Sequence, residues 1–213
     1  MNKRLTEIFS VLPECHTFAD IGCDHGYMAQ AMLYSGKCKR AIISDVSEKC
    51  LQKAKDLLER FIKEGKVDSA VSDGFDKVGT CDLALIAGMG GEEIVSIIEK
   101  AKELPENLVL QPMKNVDKVR VAVVKAGYRI VKDYVFFVGG VFYDLIVLQK
   151  GKDVLTQEEI EFGRTNLQEK GKAFKGMILD RLNKYKTYSE NPSVSEDARE
   201  EMISQIKKLG KYV

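Results

Sequence analysis

Short apolar runs alternate with segments of helical periodicity along the first 150 residues. Residues 3–12 repeat apolar positions at helical spacing and predict a short helix that ends before Pro13. Apolar runs predict strands over 17–21, 41–45, 67–72, 83–87 and 108–111. Helical patterns predict helices up to about Ser35, from Ser47 to about Lys63, over 92–102 and over 116–126. This alternation predicts a mostly parallel α/β sheet with helices on both faces.

Two further β-rich runs follow, over 128–138 and 141–149, and they flank Gly139-Gly140. A pair of such runs around two glycines predicts an antiparallel hairpin. After five parallel strands, this hairpin would insert an antiparallel strand beside the last of them. That arrangement is typical of the Rossmann-like class I fold of S-adenosylmethionine (SAM)-dependent methyltransferases, with a seven-stranded sheet. NAD-binding Rossmann domains are built differently.

The composition changes at Gly151, where β-branched residues become fewer and charges denser. Thr156-Gln157-Glu158-Glu159 is a capping-box pattern that predicts the start of a long helix, ending at Asn191-Pro192. Ser193-Val194-Ser195-Glu196 predicts the start of a second helix. We therefore expect residues 1–150 to form a methyltransferase domain and 151–213 to form an antiparallel helical hairpin, coiled-coil-like, appended to it.

Charge and cysteine content limit the possible partners and compartments. The 33 basic and 32 acidic residues give a net charge of +1, so attraction to nucleic acid would have to come from local patches. The five cysteines form no C-x-x-C pair and no zinc pattern, which predicts free thiols, a reducing compartment and no metal site. No apolar run is long enough to span a bilayer. We expect a cytoplasmic protein without membrane contact.

A glycine-containing loop follows the first predicted strand. Its residues are Phe18-Ala19-Asp20-Ile21-Gly22-Cys23-Asp24-His25-Gly26-Tyr27. The spacing is D-x-G-x-x-x-G, whereas a dinucleotide pyrophosphate favours G-x-G-x-x-G without carboxylates nearby. SAM carries a cationic amino group and sulfonium, so Asp20 and Asp24 fit it better. We predict cofactor contacts at Asp20, Gly22, Cys23, Asp24 and Gly26; an ordinary glycine turn is the alternative.

Acidic residues also end the second and third predicted strands. Asp45, followed by Val46, is placed to accept hydrogen bonds from ribose hydroxyls. Asp73 is placed to accept from an adenine amino group, with Gly74 and Phe75 beside the ring. A helix N-terminal Asp and an Asp-Gly turn are the alternatives. Acidic groups on three successive strand ends favour a SAM site.

The fourth predicted strand ends in Ala87-Gly88-Met89-Gly90-Gly91. Ala87, Gly88 and Met89 are expected to form part of an open floor where a substrate base reaches the sulfonium. The segment lacks the Asn/Asp-Pro-Pro-aromatic motif of adenine-N6 enzymes and the Pro-Cys nucleophile of cytosine-C5 enzymes. Cys23 is the alternative nucleophile, but a packing role fits it better.

Together these motifs resemble the TrmK-type bacterial enzymes that methylate N1 of adenine 22 in tRNA, and the resemblance covers essentially the whole chain. The matching residues are Arg4-Leu5, Ala19-Asp20-Ile21-Gly22, Asp24-His25, Tyr27, Ala87-Gly88-Met89-Gly90-Gly91, Leu110-Gln111-Pro112 and Gly127-Tyr128. The resemblance implies SAM as methyl donor, S-adenosylhomocysteine as product and tRNA as substrate. It indicates no obligate protein partner.

The resemblance also suggests roles for particular side chains. We hypothesise that His25, Tyr27 and Asp24 lie at the catalytic centre, where Tyr27 contacts the target adenine and His25 orients it or accepts a proton. A backbone-capping His25 and a core Tyr27 are the alternatives. Basic residues are expected to contact tRNA phosphates: Lys170, Lys172, Lys175, Arg181, Lys184, Arg4 and Lys114. A solvated helix face is the alternative for these cations.

Three other functions fit parts of the pattern. A methyltransferase acting on another RNA base or on a small molecule would share the fold. A non-catalytic module that binds SAM and RNA would share the cleft. An NAD-dependent oxidoreductase is disfavoured because G-x-G-x-x-G is missing and a terminal hairpin is present.

Overall fold

The computed structural model describes residues 1–191 and 193–213 and contains a seven-stranded sheet. The strands are β1 (Thr17–Ile21), β2 (Arg40–Asp45), β3 (Val67–Val71), β4 (Leu83–Met89), β5 (Asn107–Pro112), β6 (Tyr128–Val138) and β7 (Val141–Lys150). Their order is β3-β2-β1-β4-β5-β7-β6. β1 to β5 are parallel, and β7 lies antiparallel between β5 and β6. The predicted class I fold with its inserted terminal hairpin is confirmed.

Helices surround this sheet. They are α1 (Lys3–Val11), α2 (Tyr27–Tyr34), α3 (Glu48–Leu57), α4 (Glu59–Lys63), α5 (Gly91–Lys100), α6 (Val116–Lys125), α7 (Gln157–Phe162), α8 (Arg164–Glu169), α9 (Lys172–Ser189) and α10 (Glu196–Leu209). The predicted helix after Ser47 is divided into α3 and α4 at Leu58, whose backbone leaves the helical region.

Side chains of successive strand residues point to opposite faces of the sheet and bury two separate cores. Leu83 and Leu85 pack with α1 to α4, whereas Ala84 and Ile86 pack with α5 and α6. The uninterrupted apolar pattern of β4 therefore reflects burial on both faces. This central position fixes the carboxyl end of β4 at the middle of the edge where β1 and β2 also end.

The C-terminal segment does not begin with one long helix, so that prediction is wrong. α7 has the expected Thr156–Glu159 capping box, but the chain turns at Gly163, whose φ is 83°, and again at Lys170, whose φ is 46°. A Cβ on Gly163 would lie 2.8 Å from the carboxylate of Asp133, so close packing on the sheet imposes the first break. The helical pair consists of α9 and α10 only.

The ends of that pair also differ in detail from the prediction. α9 ends at Ser189, and Pro192, the proline of the predicted break, lies outside the described residues. Ser195, rather than Ser193, caps α10 by accepting a hydrogen bond from the amide of Ala198. A third apolar cluster joins α7, α9 and α10 to Val135 of β6.

A buried charge network holds α7 against the sheet. Arg120 of α6 is fully buried and donates to both carboxylate oxygens of Asp133, at 2.6 and 2.9 Å. It also donates to Asp144 at 3.2 Å and to the carbonyl oxygens of Ile160 and Glu161. One guanidinium therefore links α6, β6, β7 and α7.

Candidate active site

The carboxyl ends of β1, β2 and β4 and the loop after β3 surround a cleft with two chambers. A chamber of about 190 Å³ reaches from Asp20 to His25 and Tyr27. Another of about 330 Å³ reaches from Asp45 to Asp73. The residues that line both are Arg4, Gly22, Asp24 and Ala87. A ligand with two chemically different ends can therefore cross from one chamber to the other over Gly22.

The loop after β1 depends on left-handed backbone at Gly22, where φ is 69°. Gly22 donates its amide to the carbonyl oxygen of Ser44, 2.8 Å away on β2. A Cβ at Gly22 would lie 1.9 Å from the Cε atom of Met89. The glycine thus brings the backbone against Met89 and leaves open space above the strand end.

Asp20 lies at the floor of the smaller chamber and is 5% exposed. Its carboxylate accepts a hydrogen bond from the amide of Ala29 at 3.2 Å. Burial raises the pKa of Asp20 to about 7, the amide opposes that rise and the charge of Asp45 adds to it. A cation entering the chamber would favour the ionised carboxylate.

Asp45 lies in the second chamber with both carboxylate oxygens held by backbone. Oδ1 accepts from the amide of Ser47 at 2.8 Å, and Oδ2 accepts from the amide of Asp24 at 3.1 Å. An ionised carboxylate has about four lone-pair positions, so further acceptor positions remain for hydroxyl groups. This arrangement fits the predicted ribose contact.

The other contacts predicted for the second chamber do not all line it. Val46, Asp73 and Gly74 line it, and Asp73 also pairs with Lys100 at 3.3 Å. Phe75 does not line this chamber. It packs on the core beneath α5 and borders a separate small cavity with Leu104, because the turn after Gly74 directs it away from the strand ends.

The Ala87–Gly91 segment is less open than expected. β4 continues to Met89, with a register shift at Gly88. Gly91 begins α5 and is buried, and a Cβ there would lie 2.5 Å from the carbonyl oxygens of Lys114 and Asn115. The open part of the floor is therefore limited to Ala87, Gly88 and Met89.

His25 and Tyr27 lie side by side at the mouth of the smaller chamber. Their rings are parallel within 7°, with centroids 5.5 Å apart. His25 Nδ1 is 2.6 Å from the Oδ2 atom of Asp24. A carboxylate only accepts, so Nδ1 donates the proton, which leaves Nε2 of a neutral ring as an acceptor. Tyr27 is 47% exposed. The structure thus brings the three predicted catalytic side chains together at the cleft.

Cys23 also lines the smaller chamber, where it is 8% exposed. Burial, followed by the charges of Asp20 and Asp45, raises the pKa of its thiol well above the usual range. A thiol held protonated is a poor nucleophile. We expect Cys23→Ala to keep turnover within about threefold of the wild type, measured as initial rates of methyl transfer. A loss of about 100-fold or more would contradict the packing role.

Arg4 lies inside the cleft, although its sequence position suggested a peripheral phosphate contact. Its Nη1 donates to the buried side chain of Gln111 at 2.9 Å, and its guanidinium is 5.9 Å from the ring centroid of Tyr143. The absence of a side chain at Gly88 leaves room for it. Sequence reasoning missed this placement, although a Gln after the apolar run of β5 is a signal of a buried polar partner.

Two further lining residues, Glu93 and Ile97 of α5, were also missed. They are four residues apart and so lie on one face of the helix. Their helical spacing after the glycine segment is the one signal that points to them, and it did not identify them because it is equally typical of any amphipathic helix.

The predicted tRNA-contacting cations do not form one group. Lys114, Lys170, Lys172 and Lys175 are exposed, with Lys114 beside Gly90 at the cleft. Lys184 pairs with Asp180 at 2.7 Å. Arg181 is only partly exposed. Burial raises the pKa of Asp144, and the charges of Arg120 and Arg181 oppose that rise. Lys172 and Lys175 are therefore the better placed cations of α9 for an external ligand.

Residues 1–191 and 193–213 were compared with the requirements of a metal site and of a membrane-spanning helix. Within these ranges, no group of three or more His, Cys, Asp or Glu side chains is arranged to hold a metal ion. No helix in the same ranges is both long and apolar enough to cross a membrane.

Comparison with known proteins relates this cleft to a family. Residues 1–146 match the family model described as a methyltransferase domain. A Bacillus subtilis tRNA (adenine(22)-N(1))-methyltransferase is 28% identical over 156 residues, or 71% of this chain and 66% of the relative.

Solved structures show the same fold over the whole chain. M. capricolum TrmK in complex with S-adenosyl-homocysteine has a TM-score of 0.88 and 23% identity, covering 100% of this chain and 97% of that one. An uncharacterized protein of Listeria monocytogenes has a TM-score of 0.91 and 24% identity, covering 100% and 99%. The similarity in fold to these structures thus extends along the chain.

Proposed function

The chain belongs to the methyltransferase-domain family, and from this premise we propose that it transfers the methyl group of SAM to N1 of adenine 22 in tRNA. The observation that carries the proposal is the two-chambered cleft, with Asp20 and Asp45 at successive strand ends and the Asp24–His25–Tyr27 group at its mouth. The Bacillus subtilis relative named for this reaction matches 71% of the chain.

The residues of the cleft fit SAM chemically. Asp45 offers oriented acceptors to the ribose hydroxyls, and Asp73 and Gly74 border the place for the adenine ring. Asp20 offers a buried carboxylate to the cationic end, and Arg4 offers a guanidinium to the carboxylate of the methionine moiety. When bound, SAM supplies an electrophilic methyl group on sulfur.

The residues at the mouth position the nucleophile. Adenine N1 carries a lone pair at neutral pH, so its attack needs orientation more than prior deprotonation. We propose that Nε2 of His25 accepts a hydrogen bond from the N6 amino group of adenine. The hydrogen bond between Nδ1 and Asp24 fixes the orientation of the imidazole ring. Tyr27 presents an exposed face for stacking on the base. The positive charge of the methyl donor would pass to the adenine ring, so no proton has to leave for the transfer to balance.

The target base must leave its base pair to enter this cleft, because position 22 lies in a paired stem. Extraction of a paired base costs a few kcal/mol, and contacts outside the cleft must offset that cost. We propose residues 1–150 as the catalytic domain and 151–213 as the tRNA-contacting appendage, with Lys170, Lys172 and Lys175 as phosphate ligands. Activity on tRNA would place the enzyme in the cytoplasm.

The ionisation of Asp20 predicts how SAM binding depends on pH. Below pH 7 the buried carboxyl is largely protonated, and a cationic ligand favours its ionised form. We therefore expect SAM affinity to rise between about pH 6 and about pH 8, by at most about tenfold per pH unit below the pKa. Isothermal titration calorimetry checks this result.

Asp20→Asn provides the control, because the amino group of SAM also titrates, near pH 8. The variant keeps that titration and the volume of the side chain but loses the carboxylate. We expect weaker binding with a flatter pH profile. Equal pH profiles of SAM affinity for both proteins would show that the ionisation of Asp20 does not contribute to SAM binding.

Methyl transfer with nucleoside analysis tests the proposed function. The protein is incubated with labelled SAM and a tRNA transcript, and the digested product is separated. Labelled 1-methyladenosine supports the proposal. Another methylated nucleoside would indicate a different RNA methyltransferase, and SAM binding without any labelled RNA would favour a small-molecule enzyme or a non-catalytic module.

A further inference from the structure

The tip of the β6–β7 hairpin carries an exposed aromatic ring that does not line the catalytic cleft. Phe137 is 53% exposed, although it is a large apolar side chain. It lies directly across the hairpin from Phe142, with ring centroids 4.6 Å apart. A single exposed apolar residue is ordinary on a protein surface, so its surroundings decide whether it has a function.

Phe137 is held in place by its partner. The ring of Phe142 packs on Gly176 of α9, where a Cβ would lie 3.3 Å from the Cζ atom of Phe142. Phe142 is partly buried against the third apolar cluster. Phe137 therefore rests on a braced ring, while about half of its surface faces solvent. A fixed aromatic ring loses little conformational freedom when another flat ring stacks on it.

Two lysines of α9 lie near Gly176, against which Phe142 packs. Lys172 lies four residues before Gly176, and so on the same row of α9, and Lys175 lies three residues after Lys172, and so beside it on the helix surface. Both lysines are exposed, and neither has an ion-pair partner within residues 1–191 and 193–213. An aromatic platform beside unpaired cations matches the chemistry of single-stranded nucleic acid, with a flat base and a phosphate.

The hairpin tip also lies at the catalytic edge of the sheet. β5 runs parallel to β4 and pairs Leu110 with Ile146, so residues 141–143 extend past the end of β5 at Pro112. Tyr143 in this extension contacts Arg4 of the cleft. Phe137 stands three strands from β4, on the order of 14 Å. One nucleic acid can reach both the cleft and the ring.

We propose that Phe137 is a stacking platform for an unpaired base of the tRNA substrate, with Lys172 and Lys175 holding the adjoining phosphates. The proposal rests on the proposed function, because it names how that same substrate is held outside the cleft. It differs from the catalytic role of Tyr27, since Phe137 does not line either chamber. Its contribution lies in tRNA binding and not in the methyl transfer step.

Phe137→Ala tests the platform in the full-length protein. We expect tRNA dissociation constants to rise about 5- to 150-fold, with kcat at saturating tRNA unchanged. Phe137→Trp should keep the affinity, because it keeps a flat ring. Val131→Ala is the matched control, since Val131 is 56% exposed on the same strand but at its other end. Melting temperatures of all variants verify that they fold.

The salt dependence of tRNA binding distinguishes the contribution of the Phe137 ring from that of the two lysines. Lys172→Gln with Lys175→Gln should reduce the slope of log affinity against log salt by about 1 per phosphate contact, whereas Phe137→Ala should leave the slope unchanged. Wild-type affinity in Phe137→Ala, with normal 1-methyladenosine formation, overturns the platform alone. Absence of tRNA binding in the wild type overturns the proposed function with it. A dimer dissolved by Phe137→Ala with tRNA affinity intact would assign the tip to self-association and overturn the platform.

Discussion

Arg120→Met should lower the free energy of unfolding by about 3–5 kcal/mol. The substitution removes a guanidinium that is fully buried and leaves Asp133, also fully buried, without its charge partner. It also removes the donors to the α7 carbonyl oxygens of Ile160 and Glu161. Urea denaturation followed by circular dichroism measures the change, and the melting temperature should fall by roughly 6–20 °C.

Two further variants show whether the buried charge is the cause. Arg120→Met combined with Asp133→Asn should recover part of the loss, because it removes the uncompensated carboxylate. Arg40→Met is the surface control, since Arg40 and Asp68 form an ion pair with both side chains about half exposed or more. It should change stability by less than about 1 kcal/mol. Equal losses in Arg120→Met and Arg40→Met would refute a structural role for the network.

His25→Ala should reduce kcat by about 100-fold, the order of loss expected when the reacting base is misplaced by about 1 Å. In the proposed function its Nε2 atom is the acceptor that orients adenine, and the proposed SAM contacts are Asp20 and Asp45, on other parts of the cleft. The dissociation constant for SAM should therefore change little. His16→Ala is the control because His16, the other histidine, lies outside the cleft and contacts Thr17. Single-turnover rates and SAM titrations of both variants check the result.

Tyr27 variants distinguish stacking from hydrogen bonding. If the exposed ring stacks on adenine, Tyr27→Phe should stay near the wild-type rate and Tyr27→Ala should lose about 5- to 150-fold in kcat/KM. Tyr34→Ala is the matched control, because Tyr34 is 63% exposed on the same helix but outside the cleft. A normal rate in Tyr27→Ala would remove this residue from the catalytic group.

The strands and their order were predictable because burial on both faces leaves a strong pattern. Leu83–Ile86 is apolar throughout, and the glycine pair at 139–140 indicates the hairpin that places β7 beside β5. Local chemistry also located Asp20 and Asp45, since a carboxylate at a parallel strand end must lie at the edge where ligands bind.

Long-range packing was not predictable in the same way. The breaks at Gly163 and Lys170 lie within a helical pattern, and the first is imposed by Asp133, which is 30 residues away along the chain. Arg4 enters the cleft because Gln111 and Tyr143 hold it, and neither contact has a periodic signal. Phe75 was misplaced for a related reason, since a turn residue can point to either side of the loop.

Methylation of two tRNA transcripts tests whether the enzyme acts on adenine 22. One carries adenine at position 22, the other carries guanine there, and labelled methyl transfer from SAM is measured for both with equal amounts of enzyme. If adenine 22 is the methylated base, the adenine transcript is labelled and the guanine transcript is not. Equal labelling of both would contradict the assignment to adenine 22, and labelling of neither would contradict tRNA as the substrate.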